Sequence, residues 1–198
     1  MQEISLTDRK LLRNEIRARR RGLSVHEQLS TAQSVMETAL SQTRFPLGDH
    51  IALFMSADGE VDTGPLLTAL VSLGKSCYLP VLEPATTTLQ FRQYLPDAPL
   101  VTNFFGLQEP APEAPVIAPE ALSTVFMPLV GFDLEGNRLG MGKGYYDRTF
   151  AFLKEDDGKG PALIGLAHEC QRVESLEAAA WDVPLGGIIT GAAFYRVR

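Results

Sequence analysis

Residues that bind soft metals or carry redox chemistry are scarce in this chain of 198 residues, which has two cysteines, three histidines and one tryptophan. Cys77 and Cys170 stand far apart, and neither has a second thiol at ligand spacing. That excludes a sequence-encoded zinc site and predicts reduced, packing cysteines in a cytoplasmic protein. His26, His50 and His168 form no H-x-x-x-H pair. Nothing suggests a Ser-His-Asp or Cys-His nucleophile. No apolar run approaches the ~20 residues that span a bilayer. Met1 to Arg21 is arginine-rich but lacks the apolar segment of a signal peptide, so no membrane association is expected.

A net charge of −6 argues against a nucleic-acid partner. The charge is uneven, however. Met1 to Val25 holds seven basic and three acidic residues, which leaves −10 on the remainder. A basic element on an acidic body suits one specific anionic ligand rather than a polyanion. Hydrophobic residues at 45% and charged residues at 21% are ordinary for a globular chain, and residues 1–198 are expected to form one domain.

In chain order, Ser5 or Thr7 is placed to cap a first helix running to about Arg21. Leu12 and Ile16, with Arg19 or Arg20, share one face, while Arg9, Arg13 and Arg17 recur at i, i+4, i+8 on another. Ser24-Val-His-Glu27 is a capping box opening a second helix, ended by Phe45-Pro46 and Gly48. Ile51 to Met55 reads as a buried strand. After a polar loop, Thr63 caps a helix with Pro65 near its start, Gly74 stops it, and Cys77 to Leu82 is a strand. That is a βαβ unit, which implies parallel strands and ligands at their carboxyl ends. Leu89 to Tyr94 is a further strand. Leu95 to Pro119 holds six of the thirteen prolines and reads as an ordered surface excursion, in which Phe104 and Phe105 either pack against a flat heterocycle or, the better reading, anchor the loop. Ala162 to Ala167 and a final strand, Gly187 to Thr190, complete the reading.

The most informative stretch lies between. Thr124 to Val130 reads as a buried strand, glycines and polar residues follow, and Tyr145 to Leu153 continues as an amphipathic helix. Gly140-Met141-Gly142-Lys143-Gly144 sets three positions without side chains around one lysine. Glycine lets backbone N–H groups approach an anion, a helix N-terminus adds partial positive charge, and Lys143 adds a full one. Asp147 in the first helical turn is placed for a divalent cation. The loop is not a Walker motif, because Asn137 and Gly144 occupy its glycine and hydroxyl positions. It is not the dinucleotide fingerprint either, since Tyr145 replaces the third glycine. On G-x-G alone, a plain turn with a solvated lysine is the better reading.

The longer string, Phe132-Asp-x-x-Gly-x-Arg-Leu-Gly-x-Gly-Lys-Gly-Tyr-Tyr-Asp147, resembles the signature of the 5-formyltetrahydrofolate cyclo-ligase family, also called 5,10-methenyltetrahydrofolate synthetases. The resemblance implies ATP and 5-formyltetrahydrofolate as substrates, with Mg²⁺, in a cytoplasmic monomer. It implies a single three-layer α/β/α domain with a mainly parallel sheet, similar to the fold of sugar-phosphate isomerases and CoA-transferases. By the same comparison Arg9 and Arg13 reach the nucleotide phosphates, although Arg9 stands where the family has lysine. Arg138, Leu139, Gly140, Met141, Gly142, Lys143, Gly144, Tyr145 and Tyr146 line the nucleotide side. Met55, Glu60, Met141, Gly142, Lys143, Gly144 and Tyr145 face the folate, with Glu60-Val-Asp-Thr63 matching a family glutamate motif. Lys143, Arg13 and Glu60 are the expected catalytic residues. Asp147 and Asp182 are the expected metal ligands, Asp182 being equally a turn residue beside Trp181. Arg138 either serves phosphate or pairs with Asp133, and Tyr146 either packs beneath the site or contacts nucleotide. A sensor of a phosphorylated ligand and a sugar-phosphate isomerase are the competing classes.

Overall fold

The computed structural model describes residues 6–43, 45, 47–83, 86–104, 106–155 and 159–197. The arginine-rich segment forms α1 (Leu6–Arg21), whose last turn holds Arg19, Arg20 and Arg21, where cations complement a helix carboxyl end. Its expected caps, Ser5 and the Thr7 side chain, lie outside what is described, as does Phe105. Helix α2 (Val25–Ser41) opens with the expected box. Glu27 N–H donates to Ser24 Oγ at 3.3 Å, and Ser24 N–H donates to Glu27 Oε2 at 2.8 Å. It ends at Ser41, before Phe45, as Gln42 turns extended.

The βαβ unit is present as β1 (His50–Ala52), α3 (Gly64–Ser72) and β2 (Ser76–Val81), with His50 in register with Ser76. Thr63 occupies the cap position of α3, but its hydroxyl donates to Phe54 O at 2.5 Å; Asp62 Oδ1 accepts the Gly64 N–H instead. Strands β7 (Thr124–Pro128), β10 (Ala162–Leu166) and β11 (Gly187–Ile189) extend the parallel sheet from the other edge of β1. Antiparallel strands close its edges: β3 (Gln90–Gln93) and β6 (Val116–Ile117) on one side, β12 (Phe194–Arg196) on the other. The order is β12-β11-β10-β7-β1-β2-β3-β6.

Alternation along the strands splits the core into two faces. Ile51, Leu53, Cys77, Leu79, Phe126, Ile164 and Ile189 pack with Val35 and Ala39 of α2 and Leu66, Leu67 and Leu70 of α3. Ala52, Tyr78, Val125, Met127, Leu163 and Ile188 face the opposite side, against Phe150 and Tyr146. The α/β class and the mainly parallel sheet are as the sequence predicts.

Several boundaries differ. The proline-rich excursion is not featureless, since β4 (Leu100–Thr102) and β5 (Gln108–Pro110) pair antiparallel and β6 joins the main sheet. Gly187–Ile189 is not the last strand, because β12 follows it. The helix expected from Tyr145 to Leu153 is only α4 (Tyr145–Thr149), followed by a 3₁₀ turn, Ala151–Lys154. Thr149 Oγ1 donates to Tyr145 O at 2.7 Å and accepts the Leu89 N–H at 2.8 Å, and Phe150 turns into the core against Phe91. These tertiary contacts outweigh the helical pattern.

Candidate active site

Strands β1 and β7 are parallel neighbours, so the loops that follow them leave the sheet at the same edge. β1 connects onward to β2 on one side of the pair, and β7 to β10 on the other. This is the point where connections diverge, and open α/β sheets place their clefts there. The loop after β1 carries Glu60, and the loop after β7 carries Lys143.

The Glu60 loop folds as a tight turn. Glu60 N–H donates to Ala57 O at 2.9 Å, and both central residues have positive φ, +53° at Asp58 and +74° at Gly59. Asp-Gly is the pair that this mirror-image turn favours. The Asp58 carboxylate meets three guanidinium groups of α1: Arg17 at 2.7 Å, Arg20 at 2.8 Å and Arg21 at 2.6 Å. Burial alone would raise its pKa, but the hydrogen bonds from Arg17 and Arg20 bring it down to about 2. Glu60 Oε2 accepts the Ala57 N–H at 3.1 Å, and Oε1 lies 3.6 Å from Arg20 Nη2. Burial holds this carboxyl above the ordinary glutamate range, against the opposing pull of Arg20.

Past β7 the chain makes a hairpin, β8 (Gly131–Phe132) and β9 (Arg138–Leu139). Buried Asp133 closes it. Oδ1 accepts the N–H groups of Glu135 and Asn137, each at 3.0 Å, while Oδ2 accepts Asn137 Nδ2 and the Leu176 N–H, each at 2.9 Å. The carboxylate is therefore saturated by the loop, and Arg138 does not pair with it. Arg138 instead forms its ion pair with Asp147 and donates to Val183 O.

The glycine loop follows directly. Gly142 (φ +92°) and Gly144 (φ +66°) hold left-handed backbone, which explains glycine there; Gly140 lies in open space. Arg13 Nε donates to Gly140 O at 2.8 Å, and its guanidinium lies against Gly142. Burial and the charge of Arg9 both lower the Arg13 pKa. Arg9 donates to Glu177 O. Two cations are thus held near each other beside the loop, an arrangement that an anion relieves. Lys143 is exposed, and its ammonium has no hydrogen-bond or ion-pair partner among the described residues. With only five residues, α4 contributes little dipole, so the positive potential comes from these side chains.

Other predicted residues fall around this cleft with different weights. Tyr146 stacks on Phe150, and its hydroxyl pKa is raised by burial and by the Glu60 charge, which brings α4 and the Glu60 turn within electrostatic reach. Tyr145 lies under the Arg148 guanidinium, 5.5 Å from ring centre. Met141 is exposed and Met55 half-buried. The Leu139 side chain is turned into the cluster of Ile16, Val130 and Leu176, so only its backbone reaches the loop. Asp147 Oδ1 accepts from Arg138 and from the Val183 N–H at 3.2 Å, and Asp182, one residue before Val183, accepts the Ala179 N–H at 2.8 Å. The turn role of Asp182 is thus present. No group of three or more metal-capable side chains assembles among the described residues. Two hard carboxylates still fit Mg²⁺, which takes few protein ligands and completes its shell with water and phosphate.

Residues that sequence reasoning passed over also build the site. Arg148 donates from Nη2 to Lys143 O and from Nε to Thr87 O, each at 2.7 Å, bracing the glycine loop. Gln171 Nε2 donates to the carbonyls of Leu129 and Val130, at 2.8 and 2.9 Å, at the end of β7. Arg20, one of two candidates with Arg19 for the Ile16 face, is fully buried and reaches both loops. Arg148 and Gln171 carry no local signal beyond residue type, and helical periodicity is the only one for Arg20.

His168 is 1% exposed, and neither ring nitrogen has a hydrogen-bond partner among the described residues. Burial lowers its pKa, Arg20 lowers it further, and the backbone of Gly59 and Glu60 opposes both. The unfolded chain therefore binds this proton more readily than the folded one. Stability from the neutral ring is complete above the unfolded value of ~6.5 and is lost as pH falls below it. The raised Glu60 value acts in the opposite sense. The wild-type melting temperature is expected to drop more steeply between pH 6.5 and 5 than that of His168→Leu. Parallel calorimetric curves for the two proteins would refute this.

A mainly parallel sheet with a carboxylate turn and a glycine–lysine loop leaving the same edge at its diverging point defines the class, an α/β enzyme. Comparison with known proteins then specifies the family. The profile of the 5-formyltetrahydrofolate cyclo-ligase family matches residues 5–191. A relative of that name from Haemophilus influenzae is 43% identical over 185 residues, covering 92% of this chain and 97% of its own. The relatives from Escherichia coli K12 (38% identity, 88% and 96% covered) and Mus musculus (30%, 90% and 91%) carry the same name. The solution structure of Aquifex aeolicus 5,10-methenyltetrahydrofolate synthetase superposes with a TM-score of 0.81 at 30% identity, covering 96% of this chain and 93% of that one. The chain belongs to the 5-formyltetrahydrofolate cyclo-ligase family. No helix among the described residues is long and apolar enough to cross a membrane.

Proposed function

We propose that the protein converts 5-formyltetrahydrofolate to 5,10-methenyltetrahydrofolate, with ATP going to ADP and phosphate. The observation that carries this reading is the pairing of the Glu60 turn and the Lys143 loop on adjacent parallel strands, with Arg9 and Arg13 beside the second.

A formamide carbonyl is a poor electrophile, and its oxygen is a poor leaving group. Phosphorylation removes both obstacles. The formyl oxygen attacks the γ-phosphorus and ADP leaves, giving an iminium phosphate. N10 then adds to the formyl carbon, the carbon–oxygen bond breaks with departure of phosphate, and the N10 proton is released. Such a route asks for alignment and charge neutralisation rather than a protein nucleophile. Lys143 and Arg13 neutralise the phosphates, with Arg9 behind them, and the left-handed glycines let backbone N–H groups approach. Asp147 and Asp182 would hold Mg²⁺, which supplies charge neutralisation on the phosphate oxygens. Glu60 and Met55 orient the folate, with Tyr145 along its edge.

The reading is tested by measuring ATP hydrolysis and methenyltetrahydrofolate absorbance on addition of 5-formyltetrahydrofolate and Mg²⁺. A phosphate-ligand sensor shows neither signal, and a sugar-phosphate isomerase consumes no ATP. Glu60→Gln is expected to raise the KM for 5-formyltetrahydrofolate about tenfold, with the KM for ATP within twofold of wild type. An unchanged folate KM and kcat would remove Glu60 from the site.

A further inference from the structure

One buried cation joins the two loops of the cleft. Arg20 is fully enclosed, and its fork ties α1 to two other segments, the Asp58 turn and the end of β7. Nε donates to Asp58 O at 2.9 Å and Nη2 to Asp58 Oδ2 at 2.8 Å, so the guanidinium grips one residue through backbone and side chain together. Nη1 donates to Leu129 O at 3.1 Å, at the end of β7, where the chain departs toward the hairpin and the glycine loop. The remaining approach of Nη2 is to Glu60 Oε1 at 3.6 Å. Gly59 packs on the last turn of α1, where an added Cβ would lie 3.3 Å from Arg20 O. The turn therefore has little room to shift.

We propose that Arg20 is a positioning residue, locking the Asp58–Gly59 turn to the end of β7 and so fixing the Glu60 carboxylate relative to the Lys143 loop. Desolvating a guanidinium is costly unless its donors are satisfied in good geometry. Here the donors are spent on the Asp58 turn and the end of β7, the two segments that lead to Glu60 and to the Lys143 loop. A lysine offers a point charge and cannot span the same three acceptors. The groups facing Glu60 are Arg17 and Arg20 from α1, Asp58 of its own turn, Tyr146 from α4 and His168 after β10. Of these, Arg20 and Asp58 act on it with opposite signs, Arg20 favouring the ionised carboxylate and Asp58 disfavouring it.

The inference rests on the proposed reaction for its kinetic arm, but its titration arm does not. Arg20→Lys is expected to lower kcat/KM for 5-formyltetrahydrofolate about tenfold, since sub-ångström misplacement is enough for that, while leaving the KM for ATP within twofold. In a Glu60→Gln background the same change is expected to add less than twofold. Carbon-13 NMR of labelled glutamate side chains reads Glu60 directly. Arg20→Gln is expected to move its midpoint up and Asp58→Asn to move it down; if Arg20→Gln does not fold, Asp58→Asn and Arg20→Lys decide. Full kcat/KM in Arg20→Lys, equal losses for both substrates, additivity with Glu60→Gln, or shifts of the same sign would each overturn the proposal. A wild-type protein without folate-dependent ATP hydrolysis would instead overturn the reaction, while the opposite-sign shifts would still support the tether.

Discussion

Lys143→Ala is expected to lower turnover by about 10²–10³-fold, the scale of removing one preorganised charge from a phosphoryl-transfer site. The side chain is exposed and its ammonium pairs with no described residue, so the fold has little to lose. Surface changes of this kind stay within about 0.5 kcal/mol of wild type. The backbone around it is held independently, by Arg13 on the Gly140 carbonyl and Arg148 on the Lys143 carbonyl. Activity and stability should therefore separate: nearly silent in the methenyltetrahydrofolate absorbance assay, unchanged in thermal melting. Near-normal turnover would mean that the cleft is not where phosphate is neutralised.

Asp133→Ala should do the reverse and break the scaffold first. Its carboxylate is the acceptor for four N–H donors from three residues, Glu135, Asn137 and Leu176. Buried donors that lose their acceptor cost about 1–3 kcal/mol each, and partial relaxation brings the expected total to about 4 kcal/mol. For a chain of this length that is a fall in melting temperature of roughly 8–16 °C. Asp133→Asn keeps one acceptor oxygen but turns an NH₂ group toward existing donors, so it should fall between the two. Leu176 leads toward Asp182 and the Val183 N–H that holds Asp147, so activity should decline with stability in this series. An alanine variant melting within 2 °C of wild type would contradict this; that bound is about 1 kcal/mol or less.

Much of the fold was legible because its signals are local. The Ser24–Glu27 box lies within one helical turn, and β1–α3–β2 is bounded by Gly74 and by strands of the right period. The glycines of the Lys143 loop were readable too, since φ values of +92° and +66° tolerate little else. The length of α4 was not readable, because Phe150 is drawn away by a core assembled from β3. Asp133 shows the same limit at the site. Its proximity to Arg138 in the chain suggested an ion pair, yet its partners are the Asn137 side-chain amide and three backbone amides, one of them 43 residues away.

What the sequence determined by itself is the chemistry available: one lysine among glycines, an arginine stripe, and a glutamate after a strand. Only the tertiary structure decided which of these meet. Arg20 illustrates the physical reason. Helical periodicity puts either it or Arg19 on the inward face, but its acceptors lie 38 and 109 residues away. A buried charge is tolerable only where those distant oxygens converge, and that convergence is a property of the parallel pairing of β1 and β7 rather than of any local stretch.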